Sequence, residues 1–203
     1  WGPTVPLVDA PWFALSERNS PGSIIVNLAG KRFMNESMPY VEACHHMYGG
    51  QYGQGSGPAE NVPAWLVFDQ QYRDRYIFAG LQPGQRIPRK WLDSGVIVTA
   101  GSLVELAEKT GIPAGELAAT VDRFNGFART GVDEDFHRGD SAYDRYYADP
   151  RVKPNPSLHS IDQGPFYAVK IVPGDPAPTR ATLTPERAPA PRPDGPDSQG
   201  PCP

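Results

Sequence analysis

Cysteine is scarce in this sequence, and the two cysteines, Cys44 and Cys202, lie far apart along the chain. A disulfide scaffold or a structural zinc site needs more cysteines at closer spacing, so we expect neither. The chain also lacks an apolar run of the roughly 20 residues that a membrane-spanning helix requires. These absences favour a cytoplasmic protein with no membrane span.

An excess of positive charge is absent too, because 19 Lys and Arg residues face 23 Asp and Glu residues and leave a net charge of -4. Proteins that bind nucleic acid are typically basic, so we expect no nucleic-acid partner. Hydrophobic residues make up 39% of the 203 residues. This is enough for one modest core, and a single domain is the simplest expectation.

The sequence contains none of the motifs that identify a catalytic or cofactor site by themselves. No GxGxxG follows a predicted strand and opens a helix, and the glycines of 49–57 have a different spacing and fall in a predicted loop. GxSxG, P-loop and HExxH motifs are also missing. The adjacent His45 and His46 point in different directions on a helix, so they cannot chelate one metal ion, and we predict no metal site.

Strands and helices are predicted in mixed order, without the regular alternation of a doubly wound domain, which favours the α+β class. Ser102 and Glu105 form a capping box at the clearest helix start. The next helix has an amphipathic stripe of apolar residues, formed by Leu117, Val121, Phe124 and Ala128. Apolar runs predict strands at 23–27, 64–69, 96–98 and 165–173.

The composition changes near residue 175. Nine of the 28 residues in 176–203 are proline and no apolar period is present, so we predict a disordered tail after a domain at 1–175. At the other end, the sequence starts at Trp1 with neither a Met nor a signal peptide. We therefore expect that sequence is missing upstream.

Several segments resemble one family of flavoproteins. The run GKRFMNE at 30–36 resembles the GxRFxNE motif in the substrate domain of the fumarate reductase/succinate dehydrogenase superfamily. The run 122–139 (DRFNGFARTGVDEDFHRG) is more specific and resembles the 3-ketosteroid-Δ1-dehydrogenase branch, as do 143–150 and 165–175. By this resemblance, which covers about 7–175, the chain is identified as a member of that branch.

The resemblance implies an α+β substrate (capping) domain that is inserted into an FAD-binding domain. It implies that this Rossmann-like FAD-binding domain is absent here and that the chain alone is inactive. FAD is then the cofactor, and the partners are a 3-ketosteroid, an electron acceptor and the missing domain of the same polypeptide. Beyond Asp175 the family continues with a Gly-Thr-Lys-Gly-Gly-like stretch, whereas this chain turns abruptly to Pro and Ala. A frameshift in a GC-rich gene is our hypothesis for that change.

The reaction implied by the resemblance is 1,2-desaturation of the steroid A ring, in which a base removes a proton from C2 and a hydride leaves C1 for the flavin. Tyr48 is the expected base, by its position on the helix after the NE motif, with Tyr52 as the nearest competitor. A tyrosine in water has a pKa near 10, so a tyrosine base needs an assisting group. From the residues alone, Tyr48 would be a helix-end tyrosine that packs its ring.

Further site residues follow from the same resemblance. Arg32, Asn35 and Glu36 are expected to order the approach to the cofactor. The Gly/Pro-containing loop with Phe78 and Leu81 is expected to contact the substrate or to be a plain surface loop.

Arg73 matches by position the proton-donor arginine of fumarate reductases. Because a steroid has no carboxylate, we instead expect Arg73 to pair with Asp69 or Asp74.

Two other functions stay open. The first is a related flavoenzyme, either a ketosteroid Δ4-(5α)-dehydrogenase or a dicarboxylate reductase. The helix after the NE motif offers Tyr40, Val41, Cys44 and Met47, which favours a bulky apolar substrate over a dicarboxylate. The second is a non-catalytic remnant or binding domain.

Overall fold

The protein is described here from a computed structural model, which covers residues 1–49 and 61–174. The predicted tail at 176–203, the loop at 51–60 and the competing residue Tyr52 lie outside the described residues. Helices and strands follow one another in mixed order. They are β1 (Gly2–Val5), β2 (Trp12–Phe13), α1 (Ser16–Asn19), β3 (Ser23–Val26), α2 (Tyr40–Met47), β4 (Ala64–Asp69), α3 (Gln70–Arg75), α4 (Arg89–Asp93), β5 (Ile97–Ala100), α5 (Leu103–Thr110), α6 (Ala114–Thr130) and β6 (Phe166–Gly174).

The strands form one sheet in the order β2-β1-β6-β4-β3, and β5 also pairs with β6. Every one of these pairings is antiparallel. β6 is nine residues long, so β4 pairs along one of its edges while β5 and β1 pair with different parts of it. The pairing of β1 with β6 sets Gly2 opposite Gly174, so the start of β1 lies beside the end of β6.

β4 is buried on both faces of the sheet, and this explains why it is apolar from Ala64 to Phe68. Leu66 and Phe68 face one core, which also contains residues of α2 and α4. Trp65 and Val67 face the other core, under α5 and α6. A strand that is covered on both faces shows no polar alternation.

The two helices predicted from capping and periodicity are confirmed. The Glu105 backbone N–H donates to Ser102 Oγ at 3.2 Å, and the Glu105 carboxylate accepts from the Gly101 N–H at 2.8 Å. α5 ends at Gly111, whose positive φ of 75° suits glycine. All four residues of the predicted α6 stripe are buried, and they are Leu117, Val121, Phe124 and Ala128.

A segment without α-helix or β-strand, 131–165, connects α6 to β6 and is held by buried polar side chains. The Asn125 amide both donates to the Ile161 carbonyl oxygen at 3.1 Å and accepts from the Ile161 N–H at 2.8 Å. The Asp69 carboxylate accepts from the backbone N–H groups of Asp162 and Gln163, each at 2.9 Å. These bonds give buried backbone groups partners that secondary structure would otherwise supply.

Two further findings concern membrane-spanning helices and metal ligands. No helix within 1–49 or 61–174 is long and apolar enough to cross a membrane. The same residues contain no group of three or more His, Cys, Asp or Glu side chains arranged for a metal ion.

The first prediction concerns Asp69, which is fully buried at the start of α3. Its carboxylate also accepts from the Tyr72 N–H at 3.2 Å, so Asp69→Ala would remove a helix cap and leave further buried donors unpaired. We expect the free energy of unfolding to fall by about 3 kcal/mol in urea titrations. Ser102→Ala, which removes an exposed cap, is the control and should lose only about 1 kcal/mol. Equal losses for the two variants would contradict this role of Asp69.

Candidate functional site

Tyr48 lies at the C-cap of α2, directly after the last helical residue. α2 begins after Pro39 and buries Ala43, Cys44 and Met47 against the sheet. This packing leaves Tyr48 half-buried, and its ring centroid lies 5.5 Å from that of Trp1. Within the described ranges no hydrogen bond joins the Tyr48 hydroxyl to another residue.

Tyr48 belongs to a group of aromatic residues that we call the aromatic belt, consisting of Trp1, Phe13, Tyr40 and Tyr48. Tyr40 lies eight residues before Tyr48, in the first turn of α2, and its ring meets that of Phe13 edge to face at 5.4 Å. Trp1 is 50% exposed and Tyr40 39% exposed. The belt therefore presents apolar, flat surfaces beside a tyrosine hydroxyl.

Glycine at position 2 lets the Phe13 ring lie close to the backbone of β1. A Cβ atom on Gly2 would come 2.1 Å from a ring carbon of Phe13, which is far inside any real contact distance. The ring of Phe13 could not keep this position with a larger residue there. The position of Phe13 in the belt therefore depends on the absence of a side chain at Gly2.

Arg32 and Glu36, two of the expected cofactor-side residues, lie in a buried network with Asp133 and Arg138. The Arg32 guanidinium donates to the Glu36 carboxylate at 2.8 and 2.9 Å and to Asp133 at 2.9 and 3.3 Å. Arg138 donates to Glu36 at 3.1 Å from the other side. The side chains of Glu36, Asp133 and Arg138 are fully buried, and that of Arg32 is 4% exposed. We call these four residues the ion network.

Aromatic rings complete the surroundings of Arg32. Its guanidinium carbon lies 5.1 Å from the ring centroid of Phe124 and 5.1 Å from that of Phe136. Two aromatic faces stabilise a buried cation through their quadrupoles. Arg32 is thus held by two carboxylates and by two aromatic rings.

The ion network sets the charge state of its carboxyl groups. Burial alone would raise the pKa of Glu36, but Arg32 and Arg138 outweigh it and hold that pKa below the usual range. Burial likewise opposes ionisation of Asp133, while Arg32 and backbone N–H groups lower its pKa. Both groups are therefore carboxylates at neutral pH.

Asn35, the third expected cofactor-side residue, is also engaged within the chain. Its amide nitrogen donates to Asp144 at 3.2 Å, and its amide oxygen accepts from the Ser37 N–H at 2.8 Å. Nearby, the buried Nε and Nη2 atoms of Arg18 and the buried Ser37 hydroxyl have no hydrogen-bond partner within 1–49 and 61–174. The Arg18 Nη1 atom donates to the Glu36 carbonyl oxygen.

Phe78 and Leu81, the expected substrate-side pair, flank a tight turn. Each accepts from the other's backbone N–H, at 3.0 and 2.8 Å, and the intervening Ala79 and Gly80 have positive φ angles of 47° and 81°. Phe78 is fully buried, with its ring 5.4 Å from that of Phe68. Leu81 is 8% exposed, so of the two it lies nearer the surface.

Arg73 does not pair with Asp69 or Asp74, so that expectation is wrong. Its buried guanidinium donates instead to three backbone carbonyl oxygens, those of Tyr76 at 3.1 Å, Gln82 at 3.3 Å and Gln85 at 2.7 Å. These bonds tie both ends of the turn that carries Phe78 and Leu81. Nothing in the local sequence signals them, because backbone acceptors can belong to any residue type.

The second prediction tests the ion network. Glu36→Gln keeps the shape of the side chain but removes the charge between two buried guanidinium groups, and we expect a loss of about 3–5 kcal/mol in unfolding free energy. Because the pKa values of Glu36 and Asp133 are lowered in the folded state, the network's contribution is present above about pH 4 and is lost as the pH falls through the folded values. Urea titrations over a range of pH would measure both effects.

The matched control for this test is Glu105→Gln, which removes a carboxylate from an exposed pair with Lys109 on α5. An exposed pair contributes about 0–1 kcal/mol, so this variant should unfold almost like the parent chain. A loss for Glu36→Gln no larger than that of the control would refute a stabilising role for the network.

Similar proteins are known for nearly all of the described chain. It is 82% identical over 175 residues to the 3-oxosteroid 1-dehydrogenase of Mycolicibacterium smegmatis and 77% identical over 175 residues to that of Mycobacterium tuberculosis. Each match covers 86% of this chain and 31% of the relative. The chain thus spans about a third of the length of these relatives.

A solved structure agrees with the sequence matches. The crystal structure of 3-ketosteroid delta1-dehydrogenase from Sterolibacterium denitrificans, in complex with 1,4-androstadiene-3,17-dione, superimposes with a TM-score of 0.75 at 39% identity. The superposition covers 84% of this chain and 30% of that structure.

The expected fold class, a substrate domain from which the FAD-binding domain is absent, is wrong. The sequence model of a family described as "FAD binding domain" matches residues 1–179, which include all of the described sheet. The expectation came from the family resemblance, which implied that this region is a substrate domain inserted into the FAD-binding domain, whereas the family match assigns the region itself to the FAD binding domain family. The chain therefore belongs to the FAD binding domain family.

Proposed function

We propose that this chain is part of an FAD-dependent oxidoreductase that introduces the C1–C2 double bond into the A ring of 3-ketosteroids. The observation that carries the proposal is the 82% identity with a 3-oxosteroid 1-dehydrogenase over 175 residues. The matched region includes α2, the ion network and the turn that carries Phe78. The substrate is then a 3-ketosteroid, and a separate electron acceptor reoxidises the enzyme, in the cytoplasm.

In the proposed reaction Tyr48 accepts the C2 proton, which the neighbouring 3-keto group acidifies. The electron pair left at C2 forms the C1–C2 double bond as a hydride leaves C1. FAD, when bound, supplies the hydride acceptor. A general base must lie within hydrogen-bond reach of the proton that it removes, and the open hydroxyl of Tyr48 at the edge of the aromatic belt supports this role.

The aromatic belt supports a flat, apolar substrate. Aromatic side chains bury large areas and offer rigid faces, which suits a fused ring system. The residues of α2 include no lysine or arginine, and Arg73 is committed to backbone carbonyl oxygens. A dicarboxylate substrate would need cations, so these features disfavour the fumarate reductase-like alternative. Product analysis with the complete enzyme would separate Δ1 from Δ4 desaturation.

Toward the cofactor, we propose that Arg32, Asn35 and Glu36 act by positioning. Their polar atoms bind other residues of the chain, so they fit an indirect role that fixes the segment between β3 and α2. We also propose that turnover requires the remainder of a longer polypeptide, which supplies the group that assists Tyr48.

The third prediction tests the base. In the complete enzyme, Tyr48→Phe should lower kcat by about 10²- to 10⁴-fold while leaving steroid binding nearly unchanged, because only the proton acceptor is lost. Stopped-flow flavin reduction and a binding titration would measure the two quantities. Tyr40→Phe is the matched control, since it removes a hydroxyl from the other end of the same belt. If Tyr40→Phe abolished reduction and Tyr48→Phe did not, the role of Tyr48 would be refuted.

The fourth prediction tests the proposed contact of Phe78 and Leu81 with the substrate. Phe78 is enclosed in the core, so its truncation would unfold the protein, whereas Leu81→Ala removes apolar contact nearer the surface. We expect Leu81→Ala to raise the KM for steroid by about tenfold with kcat little changed, as a lost apolar contact of about 1.4 kcal/mol would do.

Steady-state kinetics of the complete enzyme would test this. Val104→Ala, which truncates an exposed apolar residue on α5, is the control and should leave KM unchanged. An unchanged KM in a folded Leu81→Ala enzyme would remove Leu81 from the substrate site.

A further inference from the structure

A cleft of about 370 Å³, which we call the basic cleft, lies between the end of α3 and the irregular segment before β6. Three of its six lining residues are Arg or Lys and one is Asp, whereas the chain as a whole is acidic. The local charge is therefore not a consequence of overall composition. The lining residues are Arg75, Asp149, Arg151, Val152, Lys153 and His159.

The only carboxylate in the lining of this cleft is already fully engaged. Arg151 donates to both oxygens of Asp149, from Nε and from Nη2, each at 2.9 Å. The Tyr76 hydroxyl donates to the same carboxylate at 3.0 Å. Asp149 is therefore neutralised by Arg151 and cannot compensate the remaining cations.

Arg75 and Lys153 keep their charges uncompensated. Neither side chain forms an ion pair with any residue in 1–49 or 61–174. Several other exposed cations do have carboxylate partners, at 2.6 Å in each of the pairs Lys90–Asp9, Lys109–Glu105 and Arg123–Asp135. Two unpaired cations that line one cleft attract an anion more strongly than isolated surface charges do.

The floor of the basic cleft is fixed in advance of any ligand. The Val152 N–H donates to the Asp149 carbonyl oxygen at 2.9 Å, and the Asp149 N–H donates to the Pro156 carbonyl oxygen at 3.0 Å. Nδ1 of His159 lies 3.0 Å from the Ser160 carbonyl oxygen, and this contact holds the imidazole ring in place. A preformed site loses less conformational entropy on binding.

We propose that the basic cleft binds the phosphate group of a small molecule between Arg75 and Lys153. A phosphate is a dianion with several acceptor oxygens, which matches two uncompensated cations. The guanidinium of Arg75 can donate two parallel hydrogen bonds to it, while Lys153 acts as a point charge. The cleft is larger than a phosphate ion, so it leaves room for the organic part of a phosphate monoester.

The test is an NMR titration of the 203-residue chain with inorganic phosphate and, separately, with phenyl phosphate, both at constant ionic strength. We expect saturable shifts of the Val152 and Lys153 backbone amides and of the Arg75 side chain. Arg75→Ala and Lys153→Ala should each weaken binding about tenfold, the loss expected for one charge-assisted hydrogen bond. Arg89→Ala is the control, because Arg89 is an exposed arginine outside the cleft, and it should bind like the parent.

The two probes distinguish the source of the phosphate. Tighter binding of phenyl phosphate indicates a phosphate monoester, and equal or weaker binding indicates the free ion. Shifts that do not saturate, or that are the same in Arg75→Ala, Lys153→Ala and Arg89→Ala, would overturn the proposal. Calorimetric titration of the complete polypeptide with the same probes also tests whether the basic cleft binds phosphate, and it does not depend on how each variant of the shorter chain folds.

Discussion

The carboxylate of Glu36 is the interaction on which the interior of this protein depends. It accepts hydrogen bonds from the Ile25 N–H in β3, from Arg32 in the following turn and from Arg138 in the segment before β6. The backbone carbonyl of Glu36 accepts from Arg18 in α1 as well. Glu36 thus contacts several distant segments, and the farthest contact, with Arg138, spans 102 positions of the chain. A well-packed apolar cluster can be as stable as a buried ion pair, so the particular value of this network lies in fixing an irregular segment in one arrangement.

The two faces of the sheet are covered by different elements. α5 and α6 close one face with apolar side chains, and β4 is buried on both sides. On the other face, α2 covers β1 and exposes the aromatic belt at its edge. Because Gly2 lies opposite Gly174, the belt is next to the start of β1 and the end of β6. In a longer polypeptide, further residues would therefore be close to Tyr48, where the proposed reaction needs them.

Local patterns in the sequence were sufficient to predict many of the regular elements, but not β1, β2, α1 and α4, and not the interactions between distant segments. The capping box at Ser102 and the apolar stripe of α6 depend on residues within a few positions of one another, and both were predicted. The pairing of Arg32 with Asp133 joins residues 101 positions apart, and nothing near either residue indicates it. The carbonyl partners of Arg73 were missed for a related reason, since backbone acceptors leave no mark in the sequence. The absence of an FAD-binding domain was inferred from the family resemblance, and the match of a family model to residues 1–179 overturned it.

The distribution of buried cations also bears on how a tyrosine could act as a base. The guanidinium groups of Arg32 and Arg138 are committed to carboxylates, and that of Arg73 is committed to carbonyl oxygens. The hydrogen bonds and ring contacts of these three guanidinium groups within the described residues involve no member of the aromatic belt. A tyrosine base needs a neighbouring group that favours its ionised form. In the proposed reaction, Tyr48 would be the proton acceptor at this apolar surface, and a group other than these three guanidinium groups would assist it.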